Sequence, residues 1–303
     1  MGNKITERQA EEKREKKKGK YRLRLNVFSV IVLAALLVLL GISGYHVFYS
    51  IGQYKESFDT RDELINEYVS TPARNSSVGN PQPTQPAYTG EINIPWINPD
   101  DINPDVSKEL EAPPISIDFE NLTKLNSDVV GWIYIPGTGI NYPIVQTNNN
   151  YFYMYHNVKK QDANSGAIMM DYKNSSDFTD RNTIVYGHLM NSETMFGELN
   201  KMTKDEEFLK SHLVAYILTP TKNYRMDFIA VRTVPAATDP YYNIFVAKEA
   251  LTNYLKSLQS GSIYYNCEDP DSIEHIVTLS TCNKSFSGAR LIVVGNIEEI
   301  YHE

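Results

Sequence analysis

The longest apolar stretch of the sequence limits what the chain can fold into more than any other feature. Residues 25–51 contain no Asp, Glu, Lys or Arg, and residues 27–42 are almost continuously apolar (VFSVIVLAALLVLLGI). A helix of this length and composition spans the hydrocarbon core of a bilayer. A cleaved signal peptide is the alternative, but its apolar region would be shorter, about 7 to 15 residues, and would end in small residues. The sequence therefore predicts an uncleaved transmembrane helix over residues 25–49.

Charge is distributed unevenly about this segment. Residues 1–24 carry ten Lys or Arg and four Glu, a net charge of +6, so the remainder carries −14, because the whole chain is −8. Lys and Arg beside a spanning helix stay cytoplasmic, which predicts a cytoplasmic tail over residues 1–24 and an extracellular body. An acidic body argues against a nucleic-acid partner, since phosphate binding needs clustered Lys and Arg.

The rest of the chain divides by composition into three parts. Residues 50–70 have helix-forming composition and predict a juxtamembrane helix. Residues 71–114 are rich in Pro, Asn, Ser and Asp. They predict a flexible linker, because they cannot bury enough apolar surface to offset the ordering of their backbone. We expect one folded domain over residues 115–303.

The folded domain is predicted to be mostly β with helices. Short apolar runs separated by Gly, Asn, Asp and Pro turns are typical of strands. The predicted strands are residues 129–135, 140–146, 167–170, 183–186, 213–218, 226–234, 275–280 and 291–294. The predicted helices are residues 119–126, 205–212 and 247–258. This order favours a mostly antiparallel β-barrel or sandwich decorated by helices, and it excludes an alternating βαβ dinucleotide fold.

Three residues with useful chemistry lie at the ends of predicted strands. Cys282 ends TLSTC, His188 ends IVYGH and Arg290 opens ARLIVV. A thiol at a strand end is accessible, and histidine moves protons near neutral pH. A guanidinium donates to a developing oxyanion but cannot act as a base. If the last two strands pair antiparallel, Cys282 and Arg290 lie near the same rim. Taken singly, each residue also has a purely structural interpretation.

The sequence contains only two cysteines, Cys267 and Cys282. This is not the dense pattern of a disulfide-stapled secreted domain, although a single disulfide between the two stays open. A free thiol outside the cell is oxidisable, so a retained thiol suggests a use for it.

Together these residues resemble the sortase family. The full Thr-Leu-x-Thr-Cys strand end is present as residues 278–282, with Arg290 eight residues later and YGH about ninety residues upstream. The resemblance covers about residues 126–297. The MFGEL stretch after the histidine and the predicted helix over residues 247–258 look like class B in particular.

This resemblance implies a closed sortase-type β-barrel decorated by short helices, plus an N-terminal transmembrane helix, in an extracellular cysteine transpeptidase. It makes Cys282 the nucleophile, His188 the acid/base and Arg290 the oxyanion donor. The residues that would line the substrate groove are Tyr186, Ser280 and Thr281. No cofactor or metal is implied, and the sequence has no HExxH or paired CxxC motif.

The partners that the resemblance implies are surface proteins with a C-terminal sorting motif. A thioester acyl-enzyme would pass them to a cell-wall peptide amine of a peptidoglycan precursor. Alternatives are a pilin-polymerising sortase, a simple cysteine endopeptidase, and a non-catalytic, membrane-tethered peptide-binding domain in which Cys267 and Cys282 form a disulfide. The last alternative predicts that no thiol can be alkylated.

Overall fold

A computed structural model describes residues 27–71, 113–190, 193–236, 245 and 247–300. The predicted cytoplasmic tail and nearly all of the predicted linker lie outside the described residues. The chain divides into two compact units, Met1–Gly52 and Gln53–Glu303.

One helix, α1 (Val27–Tyr68), takes in both the predicted membrane span and the predicted juxtamembrane segment. An 18-residue window of this helix, within Val30–Tyr68, has a mean hydropathy of 2.3, so the helix is long and apolar enough to be a candidate membrane span. In its last turns Leu64 and Tyr68 are buried in an apolar cluster of the second unit. The helix was predicted to reach Ser70 but ends at Tyr68, because Val69–Ser70 forms a short strand, β1, that pairs with β2 (Ser116–Ile117).

Nine further strands follow among the described residues of the second unit. They are β3 (Val129–Tyr134), β4 (Asn141–Val145), β5 (Ile168–Met170), β6 (Asn182–Tyr186), β7 (Val214–Leu218), β8 (Asn223–Pro235), β9 (Tyr264–Tyr265), β10 (Ile276–Cys282) and β11 (Ala289–Ile300).

Eight of these strands form a closed barrel. Their order is β3-β4-β5-β6-β10-β11-β8-β7, and pairing of β7 with β3 completes the ring. The pairs β4–β5 and β6–β10 are parallel, whereas the other neighbours among the described strands are antiparallel. The long pairing of β8 with β11 joins the two halves of the sheet. Of the two architectures that the strand pattern allowed, the structure is therefore the barrel.

Burial on both faces explains the continuous apolar run of β11. Leu291 and Val293 face the barrel interior, whereas Ile292 and Val294 belong to a second cluster outside it. That outer cluster is covered by α4 (Lys248–Leu258) through Leu251, Leu255 and Leu258. A strand buried on both faces carries apolar residues at successive positions instead of alternating ones.

Two short helices and two 3₁₀ segments complete the described part of this unit. The helices α2 (Phe119–Leu125) and α3 (Glu206–Ser211) are capped by Asp118 and Asp205, whose carboxylates accept main-chain hydrogen bonds from the first turn. The 3₁₀ segments Phe152–Met154 and Gly197–Thr203 were not predicted. The two segments are three and seven residues long, too short to show apolar periodicity in the sequence.

Candidate active site

Two parallel strands end at the same edge of the barrel, and both lead into candidate catalytic residues. The register of β6 with β10 pairs Tyr186 with Ser280. The main-chain N–H of Gly187 then donates to the oxygen of Ser280 (3.1 Å), which extends the pairing by one step. His188 and Cys282 each follow this pair by two residues, so the parallel pairing brings them to one rim.

The antiparallel neighbour of β10 brings Arg290 to the same rim. Cys282 and Arg290 are direct cross-strand partners in the register of β10 with β11. Side chains that are opposite each other in this way lie on one face, with Cβ atoms about 4.5 to 5.5 Å apart. Cys282 is only partly buried, so its sulfur is not enclosed in the core.

A cavity of about 290 Å³ opens at this edge of the barrel. All six residues singled out from the sequence line it: Tyr186, His188, Ser280, Thr281, Cys282 and Arg290. The sequence had not indicated further lining residues, namely Asn150, Tyr153, Met154, Ala167, Met169, Gly187 and Ala236. The cavity therefore combines a thiol, an imidazole and a guanidinium with a largely apolar wall.

The ring of His188 is oriented by a main-chain contact. Its Nε2 lies 2.9 Å from the carbonyl oxygen of Met154. Because a carbonyl oxygen can only accept, Nε2 carries the proton and Nδ1 is the ring nitrogen that can take up another. Gly187 is required beside it, since a Cβ there would lie 2.6 Å from Ile168 Cδ1 and from the Phe196 ring. The contact with Met154 therefore orients the His188 ring, and the absence of a side chain at Gly187 lets Ile168 and Phe196 pack close to the main chain beside it.

The phenol of Tyr186 is fixed by a buried carboxylate behind the cavity. Tyr186 Oη donates to Asp171 Oδ2 (2.8 Å), and Asn150 Nδ2 donates to the same oxygen (2.9 Å). The main-chain N–H of Tyr172 in turn donates to Asn150 Oδ1 (2.9 Å). This network fixes the position of the Tyr186 phenol in the wall of the cavity.

Both cysteines are free, so the disulfide that the sequence left open does not form. Cys267 packs against the outer apolar cluster, whereas Cys282 lines the cavity. Burial raises the pKa of the Cys267 thiol, which favours the protonated, less nucleophilic form. This finding argues against the alternative of a non-catalytic peptide-binding domain, because that alternative required a disulfide between Cys267 and Cys282.

Part of the cavity wall was not predicted from the sequence, because the residues that form it carry only weak local signals. Tyr153 and Met154 belong to the 3₁₀ segment Phe152–Met154, inside the polar and aromatic stretch NNNYFYMYH. The only sequence signal was an unusual density of tyrosine, without strand or helix periodicity. Within the described part of the chain, no group of three or more His, Cys, Asp or Glu side chains could hold a metal ion.

The sequence and the fold were compared with known proteins. The family model for the sortase domain matches residues 133–298. Sortase B of Listeria monocytogenes is 35% identical over 184 residues, which cover 59% of this chain and 74% of the relative.

Solved structures give the same result for the fold. Sortase B from Bacillus anthracis in complex with AAEK2 superposes with a TM-score of 0.56 at 34% identity, covering 64% of this chain and 86% of that one. A Staphylococcus aureus sortase B–substrate complex has a TM-score of 0.56 at 27% identity, covering 60% and 85%.

Proposed function

This chain belongs to the sortase family of cysteine transpeptidases, and from that premise we propose that it is a membrane-anchored, extracellular enzyme with Cys282, His188 and Arg290 as its catalytic residues. It cleaves a C-terminal sorting motif of secreted proteins and transfers them to a cell-wall peptide amine. The observation that carries the proposal is the shared cavity, which these three side chains line at the ends of paired strands.

The reaction follows from the chemistry of the three groups. The Cys282 thiolate attacks the scissile peptide carbonyl, and Arg290 donates hydrogen bonds to the oxyanion that develops. The tetrahedral intermediate collapses as His188 protonates the leaving amine, which departs with the downstream peptide and leaves a thioester on Sγ. An incoming amine then attacks the thioester and loses its proton to His188, and the thiolate is released as the new amide forms.

The substrate groove is proposed to run along the wall formed by Tyr186, Ser280 and Thr281. Thr281 is buried beside the nucleophile, and its hydroxyl has no hydrogen-bond partner among the described residues. An unpaired buried hydroxyl is costly unless a ligand satisfies it. The S. aureus relative forms a substrate complex, which supports a substrate-binding role for this chain.

Sortases are cell-envelope proteins, and we place this one in the cell membrane with a single span. The apolar part of α1 and the basic residues before it support a cytoplasmic N-terminus and an extracellular catalytic unit. A C-terminal epitope tag should be digested by protease added to intact cells, while an N-terminal tag survives. Survival of both tags would contradict this topology.

The decisive test for the activity is a cleavage screen over pentapeptide sorting motifs with product masses recorded. With an added amine such as triglycine, the proposal predicts a product that carries the amine in place of the downstream peptide. Hydrolysed product alone, at every amine tried, would indicate an endopeptidase. Binding without cleavage by a protein whose Cys282 is alkylatable would contradict the catalytic proposal as a whole.

A further inference from the structure

The side-chain amide of Asn200 bridges the nucleophile and the residue after it. Asn200 Nδ2 donates to the main-chain oxygen of Cys282 (3.3 Å), and Asn200 Oδ1 accepts from Asn283 Nδ2 (2.8 Å). Both polar atoms of one amide are therefore used on two consecutive residues, the first of which carries the reactive sulfur. The side-chain amide of Asn or Gln presents a donor and an acceptor in one planar group.

Asn200 is itself held firmly. It lies in the 3₁₀ segment Gly197–Thr203, between Leu199 and Met202, which are both buried in the barrel interior. The hydroxyl of Thr203 donates to the main-chain oxygen of Asn200 (2.9 Å). The amide therefore extends from a part of the molecule that is anchored in the core.

The orientation of Asn283 is also fixed, which leaves its Nδ2 for Asn200. Its Oδ1 accepts from the main-chain N–H of Ser285 (2.8 Å). Its own main-chain N–H donates to the oxygen of Ala289 (3.0 Å), just beyond the end of β10 at Cys282. The bridge from Asn200 thus adds a side-chain contact where β10 ends, beside the main-chain hydrogen bond from Asn283 to Ala289.

We propose that Asn200 is a positioning residue for acyl transfer, an inference that rests on the proposed function. It fixes the peptide between Cys282 and Asn283, and so holds Sγ in register with His188 and Arg290. The described residues that line the cavity do not include Asn200, so it acts through Cys282 and not on the substrate. A displacement of about 1 Å at a reacting atom costs about a hundredfold in rate.

Two substitutions of Asn200 test the proposal in the full-length enzyme. Asn200→Asp keeps the shape and the acceptor for Asn283 but loses the donor to Cys282, whereas Asn200→Ala loses both. With the fluorogenic peptide chosen by the cleavage screen, we expect kcat to fall about ten- to hundredfold while KM changes by less than about twofold. The concentration of active enzyme is set by iodoacetamide titration of Cys282, and thermal melts report folding.

Asn296→Ala is the matched control. Asn296 lies towards the other end of β11 and donates to Glu298 (3.3 Å), so its loss removes an amide contact remote from the cavity. This variant should keep kcat within about twofold of the wild type. Asn283→Ala removes one half of the bridge together with the acceptor for the Ser285 N–H, but keeps the contact of Asn200 with Cys282, and should give a smaller loss than Asn200→Ala.

The outcomes separate this proposal from the proposed function. Wild-type kcat in both Asn200 variants overturns the positioning role, as does a loss that disappears once rates are expressed per titratable thiol. If Asn200→Ala does not fold, the kcat values of Asn200→Asp and Asn283→Ala test the positioning role instead, and wild-type kcat in both would overturn it. Turnover that survives in Cys282→Ala would instead overturn the proposed function.

Discussion

Among single residues, Arg290 has the most specific chemical requirement. It is the cross-strand partner of Cys282, and one guanidinium nitrogen, Nη1, donates to the main-chain oxygen of Ala289 (3.1 Å). Because guanidinium has five N–H donors and keeps its proton, it can hold this contact and still donate to an oxyanion. A lysine at the same position would keep the charge but lose the planar fork.

Arg290→Lys should therefore lower kcat about 10²- to 10³-fold, the typical effect of losing one oxyanion donor. Steady-state cleavage of the screened peptide measures the change. Arg225→Lys is the control, since Arg225 pairs with Asp227 on β8 and does not line the cavity. A near-normal rate for Arg290→Lys would remove Arg290 from the oxyanion role.

The sequence could indicate residues at strand ends but not the contacts that hold them. Cys282, His188 and Arg290 were singled out because each adjoins an apolar strand pattern and because together they resemble the sortase pattern of a Thr-Leu-x-Thr-Cys strand end with a separate His and Arg. Met154 and Asn200 were not, because they contact His188 and Cys282 across 34 and 82 residues of sequence and no local pattern marks them. Contacts of this kind exist only once the barrel has closed.

Among the secondary-structure elements, α1 departs most from what the sequence suggested. Leu64, only 3% exposed, packs in a cluster that also contains Trp132 of β3 and Leu122 of α2. The last turns of the helix therefore contribute to the core of the catalytic unit. Composition alone could not reveal this, because residues 71–114 separate the helix from the barrel in sequence and resemble a domain boundary.

Leu64→Ala should lower the free energy of unfolding by about 2 to 5 kcal/mol, since it removes a buried side chain and leaves a cavity. Urea unfolding of the full-length protein in detergent, followed by near-UV circular dichroism, measures this. Ile263→Ala is the control, because Ile263 is 52% exposed, and it should change stability by less than about 0.5 kcal/mol. Equal effects of the two substitutions would show that α1 does not pack as described.

At the scale of the whole molecule, the closed barrel buries several tyrosines that resist ionisation. Burial is the first cause of the raised pKa of Tyr142, Tyr153 and Tyr224. In the unfolded chain each phenol loses its proton near pH 10. The folded protein keeps these protons to higher pH, so the stability that these tyrosines contribute is fully present below about pH 10 and falls as the pH rises above it.

Tyr153→Phe should make this decline shallower, by up to about 1.4 kcal/mol per pH unit above pH 10. Urea unfolding at a series of pH values from 9 to 11 measures the slope. Tyr151→Phe removes the hydroxyl of an exposed tyrosine and should leave the slope unchanged. An unaltered slope in Tyr153→Phe would argue against a buried, protonated phenol at this position.

The most direct test of the central claim is the intact mass of the enzyme after mixing with the screened peptide and quenching in acid. We predict an added mass equal to the upstream acyl fragment on Cys282, removed when an amine is supplied, with Cys267 unmodified because burial keeps it a thiol. An adduct that persists in Cys282→Ala, or cleavage with no adduct at any time, would contradict a thioester mechanism at the rim shared with His188 and Arg290.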